Sequence, residues 1–225
     1  MRYMQNWDKL FYITCKNKGF LFLWCYILFF IFFINYTNEV SFLTDYSATY
    51  IMFWGILIWL GFEFNGVFTN NIIQQFLVNL TYRTSYLFYY IALLFLISVA
   101  IVLLNLLGYG VAYLIKEEQI LFSYLIAPSI KSLMVLCVLS YLLLLFTFYF
   151  QSFFKAFVFF YVYQILEQII NKILLKFNFE FNYLPLKFLE TFFNSSITLS
   201  NTLLVLSFCL FLIYSNYYVF SKKSY

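Results

Sequence analysis

The chain is 225 residues long, with a formal net charge of +4, 65% apolar residues, only 10% charged residues and a mean hydropathy of +0.89. A soluble domain carries about a quarter charged residues, so there is too little charge here to cover a water-facing surface, and lipid must be the solvent for most of the molecule. Histidine is absent, which excludes His-ligated haem, His-containing metal sites and a His general base.

The first element is residues 2–18, "RYMQNWDKLFYITCKNK", where Met4, Trp7, Leu10, Phe11 and Ile13 alternate with polar and basic positions. This pattern predicts an interfacial helix over 1–18 that lies on the membrane and leads into the first span. The first apolar run, 19–36, has no small-residue cleavage site after it, so a cleaved signal peptide is not expected. Further runs of spanning length fall at 48–64, 86–115, 127–151, 153–173 and 198–220. The expected fold is therefore all-α: a polytopic membrane helix bundle of six transmembrane helices forming one domain, 1–225. The fourth run starts just before Pro128, and Gln151, Ser152 and Lys155 must provide the turn into the fifth.

Between the second and third runs lies the polar segment 65–85. From Thr69 to Leu80 the apolar residues Ile72, Ile73, Phe76, Leu77 and Leu80 recur at helical spacing. Asn70, Asn71, Gln74, Gln75 and Asn79 fill the gaps, and Thr69 is an N-cap residue type. A short amphipathic helix parallel to the membrane is predicted. A second irregular segment, 174–197, contains Pro185 followed by Phe188, Leu189, Phe192 and Phe193, the pattern of a short helix capping the far end of the bundle.

Orientation follows from Lys and Arg placement. With six spans, the side holding both termini carries eight basic residues (Arg2, Lys9, Lys16, Lys18, Arg83, Lys155, Lys222, Lys223) against Asp8 and Glu63. The other side carries Lys116, Lys131, Lys172, Lys176 and Lys187 against seven acids, among them Glu167 and Glu190. The termini and the 65–85 segment are thus expected to be cytoplasmic, and 174–197 extracytoplasmic. The bacterial cytoplasmic membrane is the expected location; a mitochondrial inner membrane, with the termini in the matrix, is the alternative.

Three polar residues stand in or near otherwise apolar runs: Asn105, Lys131 and Glu167. A charged side chain at a helix centre costs about 2.5–3.5 kcal/mol on insertion scales, so each needs a reason. For Glu167 the readings are a substrate or gating contact, or a snorkelling acid paired with Lys172. Asn105 is expected to bond between helices, with Gly108 and Gly110 allowing close approach. The four cysteines, Cys15, Cys25, Cys137 and Cys209, show no paired spacing and read as core residues; no metal or other cofactor is expected. The 33 Phe and 22 Tyr match the codon bias of an AT-rich genome, bacterial or organellar.

The order of parts, together with three motifs, resembles the type-2 (exporter-like) permease subunits of ABC transporters. The motifs are "FEFNGVFTNNIIQQFLVNLTYRTSYLF" around Glu63, Gly66 and Arg83, "VYQILEQIINKIL" in the fifth run, and "NYLPLKFLETFF" beyond it. The resemblance implies that 65–85 is the coupling-helix loop and that Ile72, Ile73, Gln75, Phe76 and Arg83 bind a cytoplasmic ATPase subunit. It also implies a second permease copy or homologue as dimer partner. No Gly-x-x-x-x-Gly-Lys-Ser/Thr loop occurs in this chain, so ATP hydrolysis, and any enzymatic activity, would belong to the partner. No nucleic-acid partner is expected. The competing reading is an organelle-encoded hydrophobic structural or proton-path subunit of a respiratory-chain or ATP synthase complex, which should carry ionisable residues at mid-membrane.

Overall fold

The structure, a computed structural model, describes residues 11–12, 14–16, 18–37, 46–67, 80–116, 123–177 and 184–222. Among them there is no strand, as backbone buried in lipid requires: only a helix satisfies its own N–H and C=O groups within one segment. Seven helices are bounded among the described residues, in order: α1 (Lys18–Thr37), α2 (Tyr46–Val67), α3 (Leu80–Lys116), α4 (Ser123–Phe150), α5 (Phe153–Lys176), α6 (Pro185–Asn194) and α7 (Leu199–Lys222). Four contain stretches long and apolar enough to cross a membrane: Arg83–Val111, Leu125–Phe150, Phe153–Lys176 and Leu199–Lys222. α1 and α2, of 20 and 22 residues, contribute shorter apolar stretches, Lys18–Ile31 and Ala48–Phe64.

The long helices run alternately up and down between two ends of the bundle. At one end Gly19 of α1 meets Phe62 of α2, Gly61 of α2 meets Phe153 of α5, and the Phe148 ring of α4 packs at a tilt against Phe220 of α7. At the other end Tyr46 of α2 packs on Phe193 of α6, and Thr49 of α2 shares a 3.0 Å hydrogen bond with Ser132 of α4. α4 is the axis of the bundle and the most buried of the long helices, whereas α5 and α7 each turn only a narrow stripe inward. On α5 that stripe is Ala156, Phe160 and Glu167; on α7 it is Val205, Leu212, Asn216 and Phe220. Both sets follow spacings of four and seven, one face of an α-helix. The remaining faces present Ile, Leu, Phe and Tyr outward, as lipid-facing surfaces do.

Several boundaries differ from the hydropathy windows. α3 begins at Leu80 rather than near 86 and spans 37 residues, about 55 Å at 1.5 Å per residue. It therefore overshoots a hydrocarbon core of about 30 Å. α4 begins at Ser123, so Pro128 lies inside it rather than at its start; hydropathy alone stopped at the proline. The turn between α4 and α5 falls at Gln151 and Ser152, as expected. Gln151 takes the left-handed conformation (φ 52°), and Ser152 is the α5 N-cap, its hydroxyl accepting the Lys155 N–H at 3.5 Å.

The amphipathic helix expected within 65–85 lies, over 68–79, outside the described residues. The ends of the expected 65–85 loop belong to the long helices, 65–67 to α2 and 80–85 to α3. Of the N-terminal segment 1–18, residues 11–12, 14–16 and 18 are described and helical, the last as the start of α1.

Candidate functional site

Two polar clusters occupy opposite ends of the bundle. At the end where α2 begins, α6 is held by side chains from two other helices. Its N-cap, Leu184, has no side chain able to accept a hydrogen bond, and Pro185 takes the first helical position, where a missing N–H is tolerated. The free N–H of Lys187, third in the helix, donates instead to Glu167 Oε1 of α5 at 2.6 Å. At the other end of α6 the Lys131 ammonium, from α4, donates to the Phe193 carbonyl at 2.7 Å and to the Ser195 carbonyl. An anion therefore sits at the positive end of the α6 dipole and a cation at its negative end, each making a hydrogen bond that the helix itself lacks. α6 buries Leu186, Leu189, Phe192 and Phe193 against the bundle, as the 174–197 pattern predicts.

Glu167 is 3% exposed, its second oxygen, Oε2, is sealed inside the protein, and the Tyr163 hydroxyl lies in hydrogen-bonding reach of the carboxylate. It lines a cavity of about 380 Å³ between α2, α5 and α6. The cavity wall also includes Tyr46, Tyr50, Gln164 and Glu190. Tyr50 donates to Gln164 Oε1 at 2.9 Å, and Lys187 Nζ pairs with Glu190 at 3.0 Å. Lys172, the partner that sequence proximity proposes for Glu167, does not fill that role; the acid turns inward along the α5 stripe, away from the interface.

At the end where α2 finishes and α3 begins, the buried Glu63 of α2 (5% exposed) accepts from Tyr90 of α3 at 2.7 Å and from Thr14 at 3.4 Å. Thr14 also shares a 3.0 Å hydrogen bond with Tyr89. Arg83, in the first turn of α3, is 8% exposed and donates to the Ser221 carbonyl of α7 at 3.4 Å. Its guanidinium is thus engaged by its own chain rather than presented outward for a partner's carbonyl.

Of the other sequence candidates, Ile72, Ile73, Gln75 and Phe76 lie outside the described residues. Asn105 is buried, as a helix-bonding amide should be. The close approach expected at Gly110 is absent, since a Cβ there would meet nothing within 4 Å. The tight contacts fall instead on Gly19, Gly55 and Gly61, where an added Cβ would come within 2.5 Å of Phe62, 2.7 Å of Tyr26 and 2.8 Å of Phe153. Sequence reasoning missed Asn216, which donates from α7 to the Tyr141 carbonyl of α4 at 3.0 Å. Its signal was available: Asn216 sits four residues after Leu212 and four before Phe220, on the inward stripe.

No family model, curated protein or solved structure matches the chain. The helices define an integral membrane protein of the α-helical bundle class.

Proposed function

We propose that this chain is the permease subunit of an ABC-type exporter, crossing the bacterial cytoplasmic membrane six times and drawing energy from a separate cytoplasmic ATPase. The observation that carries this reading is how both flanks of the polar 68–79 segment are tied into the bundle. On the α2 side, Glu63 is hydrogen-bonded to Tyr90 and Thr14; on the α3 side, Arg83 is bonded to the α7 backbone. A push on the amphipathic segment would pass into α2, α3 and α7 together, which is what transmission of ATPase closure to a permease needs. The apolar stripe of Ile72, Ile73 and Phe76, flanked by Gln75, suits a partner groove. The length of α1 and α2 and the up-and-down order of the long helices support six crossings.

The proton-path alternative is disfavoured by the middle of the bundle. No Asp, Glu, Lys or Arg occurs over residues 46–62, 84–115, 132–154, 156–166 or 199–221, so nothing ionisable of that kind joins the Glu63 cluster to the Glu167 cluster.

Affinity purification of the tagged chain from its host in mild detergent tests the reading. An ATPase bearing a nucleotide-binding loop should co-purify, and Phe76→Asp should release it while the chain still inserts. Purification without any ATPase, or its retention by Phe76→Asp, would overturn the proposal. Cysteines placed at Asn71 and Asn182 should label from opposite sides of the membrane.

A further inference from the structure

α5 and α7 both pack against α4, and between them, at the end where α4 finishes and α5 begins, lies a groove of about 670 Å³. Phe146, Tyr149 and Phe150 of α4 form its floor, with Phe159 of α5 on one side and Phe211 and Ser215 of α7 on the other. Ring contacts close the α5 side, where Phe146 and Phe150 are centred 4.9 and 5.1 Å from Phe159. Tyr149, Phe211, Tyr214 and Tyr218 are exposed along it, so the groove opens toward lipid.

Two cations flank its mouth. Lys222 follows Tyr218 by four residues and Ser215 by seven, which places it on the groove-facing side of α7. Its ammonium lies 4.6 Å from the centre of the Tyr218 ring. On α5, Lys155 precedes Phe159 by four residues, one turn nearer the same end. Both lysines are exposed, and neither makes an ion pair among the described residues. No Asp or Glu occurs over residues 119–166 or 191–225, so none of the three groove helices brings an acid to this end. Glu63 of α2, at the same end, is buried and accepts from Tyr90 and Thr14. Positive charge beside an apolar groove complements a ligand with an anionic head and an apolar tail. The depth matches as well. From Lys222 to Phe211, α7 rises about 16 Å at 1.5 Å per residue, close to half of a hydrocarbon core of about 30 Å, which is the depth of one leaflet.

We propose that this groove binds an anionic phospholipid, with one acyl chain along Phe211, Ser215 and the α4 floor and the phosphate headgroup between Lys155 and Lys222. The site does not depend on the transport reading, because lipid binding requires no ATPase.

Native mass spectrometry of the full chain, released from nanodiscs of equal parts phosphatidylglycerol and phosphatidylcholine, reads the lipid retained. Phosphatidylglycerol should be retained in preference, with about fivefold from each lysine. Lys155→Gln and Lys222→Gln should each reduce the preference by about that factor, and the double variant should abolish it. The Ser152 cap of α5 uses the Lys155 backbone N–H, so Lys155→Gln leaves it in place. Lys172→Gln combined with Lys176→Gln, which removes the same charge from the other end of α5, should leave the preference unchanged. Ser215→Trp, which fills the groove, should reduce retention of both lipids. A thermal melt in detergent checks that each variant is folded. Equal retention of the two lipids by the unaltered chain, a preference that survives in the folded double variant, or the same loss from the Lys172→Gln and Lys176→Gln pair would each overturn the proposal. Undiminished lipid retention by folded Ser215→Trp would do so too. So would a lipid-free dimer that Ser215→Trp splits into monomers, which would assign the groove to a second copy of this chain.

Discussion

Glu167 caps a helix it does not belong to: its carboxylate takes the N–H of Lys187, 20 residues later in the chain, at 2.6 Å. The contact fastens α6 to α5, and the Lys131 ammonium fastens the opposite end of α6 to α4. A ten-residue helix is marginal by itself, so its position depends on these two clamps and on the four apolar side chains between them. Removing the first clamp by Glu167→Ala should lower stability by about 1–2 kcal/mol, the range for a lost N-cap. Lys131→Met should cost about 1 kcal/mol. If α6 undocks as a unit, the double variant will lose less than the sum of the two, because the second change removes a contact already broken. Thermal melts of the four proteins in one detergent read this directly, and full additivity would mean that the two ends of α6 are held independently.

Asn216 makes a contrasting prediction. Its amide nitrogen serves the Tyr141 and Leu212 carbonyls, while its oxygen is buried without a partner among the described residues. Asn216→Leu removes the satisfied and the unsatisfied group together, so stability should change by less than about 1 kcal/mol, in line with the modest worth of interhelical hydrogen bonds in membranes. Asn216→Asp replaces the donor with a group that faces two carbonyl oxygens, and it should cost at least about 2 kcal/mol. Denaturation of the two variants by sodium dodecyl sulfate separates these outcomes; equal losses would show that the amide is worth more than its geometry indicates.

Glycine positions divide in the same way. At Gly55 a Cβ would fall 2.7 Å from the Tyr26 ring, whose hydroxyl donates to the Ile51 carbonyl at 3.2 Å. Gly55→Ala should therefore push the ring aside and destabilise the α1–α2 contact by about 1–3 kcal/mol. Gly110→Ala meets no atom and removes helix-interior glycine, so it should stabilise by about 0.5–1 kcal/mol. Melting temperatures should move in opposite directions.

The α4–α5 turn offers a backbone test. Gln151 sits at φ 52°, a conformation that costs L-residues about 1 kcal/mol and glycine almost nothing. Gln151→Gly should leave stability unchanged or raise it, and Gln151→Val should lower it by about 1 kcal/mol or more, since β-branching disfavours the left-handed region further. A larger loss for glycine than for valine would mean that the glutamine side chain, not the backbone, shapes this turn.

Much of the architecture was legible because lipid imposes a one-dimensional rule. A run of about twenty apolar residues has to be helical, so hydropathy located the six long helices, the turn at Gln151–Ser152 and the amphipathic α6 to within a few residues. It failed where helix and hydrocarbon part company. α3 continues through Arg83 to Leu80, and α4 starts before Pro128, because a helix ends where its backbone hydrogen bonds end, not where its side chains turn polar.

Lys131 and Glu167 were found by sequence, but not their partners; Asn216 was not found at all. Composition and periodicity by themselves determined that the chain lives in a membrane, lacks histidine chemistry, and places Lys131 and Glu167 where charge needs an answer. That Glu167 answers the N–H of Lys187 rather than the ammonium of Lys172, and that Arg83 turns to the α7 carbonyl, were decided only by tertiary structure. The reason is physical: a helix fixes the direction of each side chain along its own axis, but the atom it meets belongs to another helix whose rotation and height are set by packing the whole bundle.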